Sequence, residues 1–529
     1  MRRSSAVSDR PEDEEALPNP SRAPAQDAWM QSFGWLVAAL LLALRLPHLG
    51  GPLDDPHSWR QCDTAHYSLD FYRRGFDLMH PAVCWLGGHR TLIFEFPLPE
   101  ALSALLYRAF GPSPVWDRVV SLVFFAIAAG YLRAFLGRVA GRRIAALATL
   151  AFLALPLGRY FSRAAHVDFV ATAFAHAMLY HGLRGVRERA WSHTLAAGAA
   201  GALAALIKAP YLIPVLGPFA VAALSIPLGA ALAPAGVPLA LTAAAFVWWR
   251  RHVDGINAAV PDWSFLPGFY REVNPGWWYY GEWSQRLVPG NWLKLARRVL
   301  HEVTTPGGLG VALLGLTHRP RAAARGPGAW SFALAWCAGT ALYVLVFFPL
   351  NLIHDYYQIP LLAPAAFLIA LGADRFWDRL PRAGAIPVAG VLFAALLAAL
   401  ALARPAGYYR VDWLRVEAGR RIAARVPPGD LVVACDYGAG WSDPRLLFRA
   451  DREGWSVAVP DLTPDRLVRL RAAGARWAAI VTDPDHPALR APDWLTPARV
   501  TSEPVVHAGR AVGALELYDL ARLGDGGAR

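Results

Sequence analysis

Lysine is nearly missing: Lys208 and Lys294 are the only two among 52 basic residues, and the rest are arginine. Cysteine is scarce too, with four in 529 residues, and only 17% of residues are charged. So few cysteines, none at metal-ligand spacing, exclude a disulfide scaffold and give no zinc motif. So little charge, beside 55% hydrophobic residues and a mean hydropathy of +0.29, excludes a disordered chain and a coiled coil. Instead, uncharged apolar runs of roughly 15 to 20 residues recur over the first three quarters of the chain. A water-soluble enzyme has no use for them. They predict a polytopic membrane protein.

The formal net charge of +12 raises nucleic acid as a partner, so its location matters. From Pro405 onward there are 17 Arg and 16 Asp plus Glu, so the excess lies in the apolar part. There it belongs to short loops that orient a membrane protein, and no nucleic-acid partner is expected. Residues 1–28 are polar, with an acidic run at Glu12, Asp13, Glu14 and Glu15, and read as a disordered cytoplasmic tail. No cleavable signal precedes the first apolar run, so that run is expected to stay as an anchor. Cys62 and Cys84 share a polar stretch. A bond between them, or two buried thiols, are both open readings.

The fold expected is mainly α, a polytopic membrane domain of about eleven transmembrane helices over 29–404, followed by a small α/β domain at 405–529. The first apolar segment runs from Ala28 to Leu46, and a polar stretch, 51–97, follows it. A short amphipathic segment covers Pro99–Phe110. Ala209–Trp249 holds 41 residues without a charge, too long for one crossing, and its prolines suggest a hairpin. A second large polar loop spans 250–305. Arginine clusters at Arg138–Arg143, Arg184–Arg189, Arg319–Arg325 and Arg375–Arg382 fall on one side under an odd span count, which predicts a cytoplasmic side there. Both large loops and the C-terminal domain then face outward from a bacterial cytoplasmic membrane. In that domain Leu431–Cys435 and Trp477–Val481 read as buried strands, 465–474 as a helix and Ala511–Tyr518 as a last strand. Gly438-Ala439-Gly440 is read as a turn.

The polar stretch after the first span reads Asp54-Asp55-Pro56-His57-Ser58-Trp59-Arg60-Gln61-Cys62-Asp63-Thr64. An ordinary connecting loop needs no such concentration of acids, His and Arg. Other predicted outward span ends carry groups of the same kinds: Glu95 among aromatics, Arg163, His166 and Asp168, then Lys208, and His354-Asp355-Tyr356-Tyr357. Ionisable groups at membrane edges are costly unless paired or functional. These types suit sugar transfer from a lipid phosphate. A carboxylate takes the proton of an acceptor hydroxyl, and Arg, Lys, His or Tyr hold the leaving phosphate. Seven of the 21 Trp lie between Trp248 and Trp292, where interfacial anchoring is their first role and sugar stacking a second.

In the order and placement of these motifs, the sequence resembles the GT-C superfamily of membrane glycosyltransferases, in the group of bacterial protein O-mannosyltransferases and aminoarabinose transferases. The match covers about residues 30 to 405 and includes Glu95-Phe96-Pro97-Leu98, Lys208-Ala209-Pro210 and His354 to Leu361. The resemblance implies a polyprenyl-phosphate-linked sugar donor, a membrane-lipid environment, inversion at the anomeric carbon, and an acid of the first polar stretch as base. The acceptor is a glycan, lipid or protein hydroxyl of the cell envelope. Asp55 is favoured as base, then Asp54, then Asp63, while Arg60, Glu95, Arg163, His166, Asp168, Lys208, His354, Asp355, Tyr356 and Tyr357 are expected to bind donor or substrate. This sequence departs from the group's common Asp-Glu pair, and a gapless alignment sets Arg60-Gln61 opposite it. Members differ in metal use, so a divalent cation is an open requirement. A lipid or sugar transporter, or a non-catalytic envelope-assembly protein, is the alternative, but a transporter needs ionisable groups near mid-membrane in paired halves.

Overall fold

In the computed structural model, the described residues are 34–260, 275–320, 327–379, 385–437, 442–485 and 490–523. The expected tail and the Gly438-Ala439-Gly440 turn lie outside them. The apolar half is helical. Its helices are Gly34–His48 (α1), Ser58–Arg74 (α2), Leu98–Phe110 (α3), Pro114–Val139 (α4), Arg142–Ala154 (α5), Pro156–Phe161 (α6), Asp168–Glu188 (α7), Trp191–Lys208 (α8), Ile213–Leu224 (α9) and Leu228–Asn257 (α10). Three short helices follow, Pro275–Tyr279 (α11), Ser284–Leu287 (α12) and Pro289–Arg298 (α13). Then come Thr305–Leu316 (α14), Ala329–Val346 (α15), Phe348–Ile353 (α16), Leu362–Arg379 (α17) and Ala385–Leu402 (α18).

Among the described residues, five stretches are long and apolar enough to cross a membrane, or six if the pair Pro289–Val303 and Thr305–Leu316, bent by 101°, is one span. The expectation of eleven is corrected accordingly. The reason is local breakage. α5 ends where Pro156 starts a new helix, and a 3-10 turn at Asp355–Leu361 precedes α17. One of the five, Trp191–Leu224, itself doubles back. Asp168 bonds both Lys208 and Tyr211. Far along α7, Thr194 and Phe219 press on Gly185 and Gly182. α8 and α9 are therefore antiparallel arms, turned at 209–212, and Ser225–Pro227 turns the chain again into α10. This is the hairpin expected from the uncharged run.

The bundle has two chemically different ends. At one, Arg138 pairs with Glu188 at 2.7 Å, and Arg143 pairs with Asp374 and Asp378. The opposite end carries Asp168, Lys208, Arg60 and His354, and the C-terminal domain sits there.

That domain begins with Trp413–Arg425 (α19) and adds Arg445–Ala450 (α20) and Pro464–Ala472 (α21). Its sheet has the order β2-β1-β3-β5-β4 from Leu431–Cys435 (β1), Gly454–Ser456 (β2), Ala475–Thr482 (β3), Arg499–His507 (β4) and Arg510–Asp519 (β5). β2, β1 and β3 are parallel, and Leu431–Cys435 with residues 478–481 is almost wholly buried, which is why β1 and β3 read as apolar runs while the short β2 does not. β3, β5 and β4 are antiparallel.

Candidate active site

The first polar stretch is ordered from its first residues. Asp55 Oδ1 accepts the Ser58 amide at 3.1 Å and the Ser58 hydroxyl at 2.7 Å, so its side chain starts α2. His57 between them is left-handed, with φ of 62°. α2 then buries a polar face, including Arg60, Asp63 and Asp70. The Arg60 guanidinium pairs with Glu95 and lies 4.6 Å from the centre of the Phe94 ring. Glu95 is fixed by its neighbour: the Phe96 amide donates to the Leu206 carbonyl at 3.2 Å, tying the segment before α3 to α8.

Arg60 and Glu95 line a cleft of about 710 Å³, open mouth included. Trp59, Trp278, Tyr279, Tyr356 and Tyr357 form aromatic walls, and Arg250, Asn257 and His354 add polar groups. Behind Tyr356 and Tyr357, the Lys208 ammonium stands 4.7 and 4.5 Å from the two ring centres. It bonds Asp168 at 2.8 Å, and Asp168 also accepts the Tyr211 hydroxyl and is paired with His166. Beside them, His57 Nε2 lies 2.8 Å from Asp355 Oδ1, while Tyr408 bonds the other oxygen of Asp355. The His57 ring meets Tyr356 edge-on at 4.8 Å.

Of the expected residues, Arg60, Glu95, His354, Tyr356 and Tyr357 line one cleft, with Lys208, His166, Asp168 and Asp355 directly behind the tyrosines. Arg163 does not line it. It is fully buried, holds Asp54 at 2.6 Å, and stacks on Tyr160 and Tyr409. Asp54 also lies 3.8 Å from Arg118 and accepts the Tyr160 hydroxyl at 3.1 Å. Asp63 is buried under α2 and accepts Trp85 Nε1 at 2.9 Å, and burial pushes its carboxyl up to about 7. Cys62 and Cys84 are free, buried thiols.

The cleft holds aromatic faces for a sugar ring, cations for a phosphate and one carboxylate, Glu95, while Asp55 is not among its lining residues. The family model for dolichyl-phosphate-mannose-protein mannosyltransferase matches residues 95–249. No curated protein matches the sequence. ArnT from Cupriavidus metallidurans in the apo state is 16% identical with a TM-score of 0.59, over 93% of this chain and 99% of that one. ArnT from the same organism bound to undecaprenyl phosphate is 17% identical with a TM-score of 0.55, over 92% and 98%. AglB from Archaeoglobus fulgidus, in complex with an inhibitory peptide and a dolichol-phosphate, is 11% identical with a TM-score of 0.52, over 86% of this chain and 70% of that one. The chain shares the overall fold of ArnT.

Within this fold, the one group of described residues with cation-ligand spacing lies at the opposite end of the bundle, at His318, Asp374 and Asp378. Arg143 already pairs with both of its carboxylates, so a cation is in place there without a metal. Several groups at the site were not singled out from sequence. His57 stood inside the motif and was legible as a candidate, since His beside two acids after a membrane exit is an uncommon grouping. Tyr211 and Tyr408 had no signal: each acts through a carboxylate more than 40 residues away in the chain.

Proposed function

We propose that the protein is a membrane glycosyltransferase. It moves a sugar from a polyprenyl-phosphate donor to a hydroxyl of an envelope acceptor on the outer face of the cytoplasmic membrane. The observation that carries this reading is the cleft walled by Trp59, Trp278, Tyr356 and Tyr357 with Arg60, Glu95 and His354 at its edge, on the fold of ArnT. In the reaction a base takes the acceptor proton, the acceptor oxygen bonds the anomeric carbon, and the phosphate leaves with the electron pair of its C–O bond, inverting that carbon. Asp55 is proposed as the base. Its bonds to Ser58 use Oδ1 alone, whereas both oxygens of Asp54 face arginines.

The decisive measurement is release of polyprenyl phosphate from a labelled lipid-linked sugar by the purified protein. Release that depends on added envelope acceptor supports the reading, and no release with any bacterial lipid-linked sugar rejects it. The outward placement rests on the arginine clusters. Reporter fusions after Arg143 and after Arg404 are expected to give opposite signals, and equal signals reject that orientation.

A further inference from the structure

We propose that the Arg60–Glu95 ion pair is a latch: a lipid-phosphate anion entering the cleft takes Arg60 from Glu95, and the released carboxylate then accepts a hydrogen bond from a donor of the incoming acceptor other than the hydroxyl whose proton goes to Asp55. This rests on the glycosyl-transfer reading and adds to it an order of binding, donor before acceptor.

Arg60 and Arg250 in the cleft lining, and Lys208 behind the tyrosines, each already have a carboxylate, so a phosphate arriving at any of them must displace one. The three cleft-side pairs are unequal. Asp168 cannot leave Lys208 cheaply, because it is fully buried and is also held by His166 and Tyr211. Arg250 is paired to Asp254 four residues on, along the same helix, so that pair re-forms wherever α10 goes. Glu95 has Arg60 as its one bonded partner among the described residues, and its side chain is 23% exposed against 7% for Arg60. The carboxylate is therefore the partner free to swing, and the guanidinium is held by the Phe94 ring.

The cation is also incompletely used. Glu95 engages Nη2, while the buried Nη1 of Arg60 has no hydrogen-bond partner. His354, lining the same cleft and 7% exposed, likewise leaves Nδ1 without one. Two residues that line one cleft thus each leave a buried nitrogen unbonded, and such groups are costly unless a ligand satisfies them. A phosphate offers two oxygens to one guanidinium and can take Nη1 and Nη2 together, which the present contact with Glu95 does not. Glu95, once displaced, is an uncompensated carboxylate at the mouth of an aromatic cleft. A second hydroxyl of a sugar acceptor, or an amide of a peptide one, is the kind of donor that satisfies it.

The test is binding of undecaprenyl phosphate to the purified full-length protein in detergent. Glu95→Gln is expected to bind it about tenfold more tightly than the wild type, the scale of one charge-assisted contact removed from competition. Arg60→Gln is expected to bind about tenfold more weakly. Glu95→Asp, which keeps the charge but shortens the reach, is expected to fall between Glu95→Gln and the wild type, and guards against a fold lost in one variant. A pair that only supports the fold predicts weaker binding in every variant. If the wild type binds and both Glu95 variants bind equally or more weakly, the latch is overturned and glycosyl transfer stands. If the wild type itself does not bind undecaprenyl phosphate, the latch falls together with the donor reading.

Discussion

Asp54 and Asp55 are adjacent, and their surroundings assign them opposite work. Asp54 is 4% exposed between Arg163 and Arg118, both fully buried. Removing its charge leaves two buried guanidinium groups with no carboxylate, a change that costs about 3–5 kcal/mol. Asp55 is half-buried and accepts the Ser58 amide and hydroxyl at the start of α2, contacts worth about 1 kcal/mol each. Asp54→Asn is therefore expected to melt well below the wild type in detergent. Asp55→Asn should melt close to it and yet transfer no sugar, since a general base contributes roughly 10²–10⁴-fold. Equal melting points for the two variants would reject the structural role of Asp54, and near-normal transfer by Asp55→Asn would move the base elsewhere. Asp63 gives a pH signature. Burial raises its carboxyl from 3.8 to about 7, against the opposing pull of Arg60 and the Trp85 bond, with Asp443 and Glu95 adding to the rise. The folded protein thus keeps this proton where the unfolded chain has released it. Asp63 consequently costs stability progressively as pH rises from about 4 to about 7, and its cost is constant above that. Asp63→Asn keeps an acceptor for Trp85 and removes the slope. The melting-point gap in favour of the variant should widen from pH 5 to pH 7 and then level off, and a gap that does not change with pH would refute the assignment.

Among elements, the tightest crossing is that of α14 and α17. A Cβ on Gly315 would meet the Leu368 carbonyl oxygen at 2.0 Å, and one on Gly372 would meet the Val311 oxygen at 2.0 Å. Backbone touches backbone here, so no side chain can move aside. Gly372→Ala is expected to cost about 1–3 kcal/mol and to slow transfer as well, because α17 continues from the turn carrying Asp355, Tyr356 and Tyr357. Gly390→Ala on α18 meets nothing within 4 Å and serves as the neutral control. Thermal unfolding of the pair decides this, and identical curves would show that the crossing yields without cost. Much of this helical plan was legible in the sequence. The uncharged run announced α9 and α10, and Leu431–Cys435 was readable as β1 because both of its faces are buried. α2 was not legible. It buries Arg60, Asp63, Thr64, His66, Ser68 and Asp70 alongside Cys62, Ala65, Tyr67 and Phe71, so buried polar groups hide its apolar period. β4 carries Pro504 and mostly exposed or half-exposed residues, which hide a strand. The site residues were legible as types at span ends, but their partners were not. Arg60 with Glu95, His57 with Asp355 and Asp54 with Arg163 are pairs set by the fold across 35, 298 and 109 positions.

For the whole molecule, the C-terminal domain is part of the scaffold of the site. The segment before Glu95 joins its sheet at the free edge of β2: the Gly454 amide donates to the Cys84 carbonyl at 2.9 Å, and the Gly87 amide donates to the Gly454 carbonyl at 2.7 Å. Val83, Trp85 and Leu86 share one apolar core with Val432, Ala434 and Ala479. Nearer the acids, Asp55 exchanges backbone bonds of 2.8 Å with Tyr409 and Arg410, and Arg449 donates to the Leu53 carbonyl at 2.7 Å. Exposed ion pairs such as Arg73 with Asp451 add little, about 0–1 kcal/mol each, so the strand contact and the buried core carry the attachment. Gly87 is where this attachment is most sensitive. Its φ of 58° suits glycine, and a Cβ there would lie 2.0 Å from the Trp455 ring, itself 1% exposed and unable to retreat. Gly87→Ala should push the segment off the sheet without touching any cleft residue, while Gly88→Ala, with nothing within 4 Å, should not. The expected outcome is a protein that still inserts and still binds undecaprenyl phosphate through Arg60. It should transfer sugar several-fold more slowly, because Glu95 and the Asp55 turn lose their common support. Normal transfer by Gly87→Ala would mean that the bundle holds the site unaided.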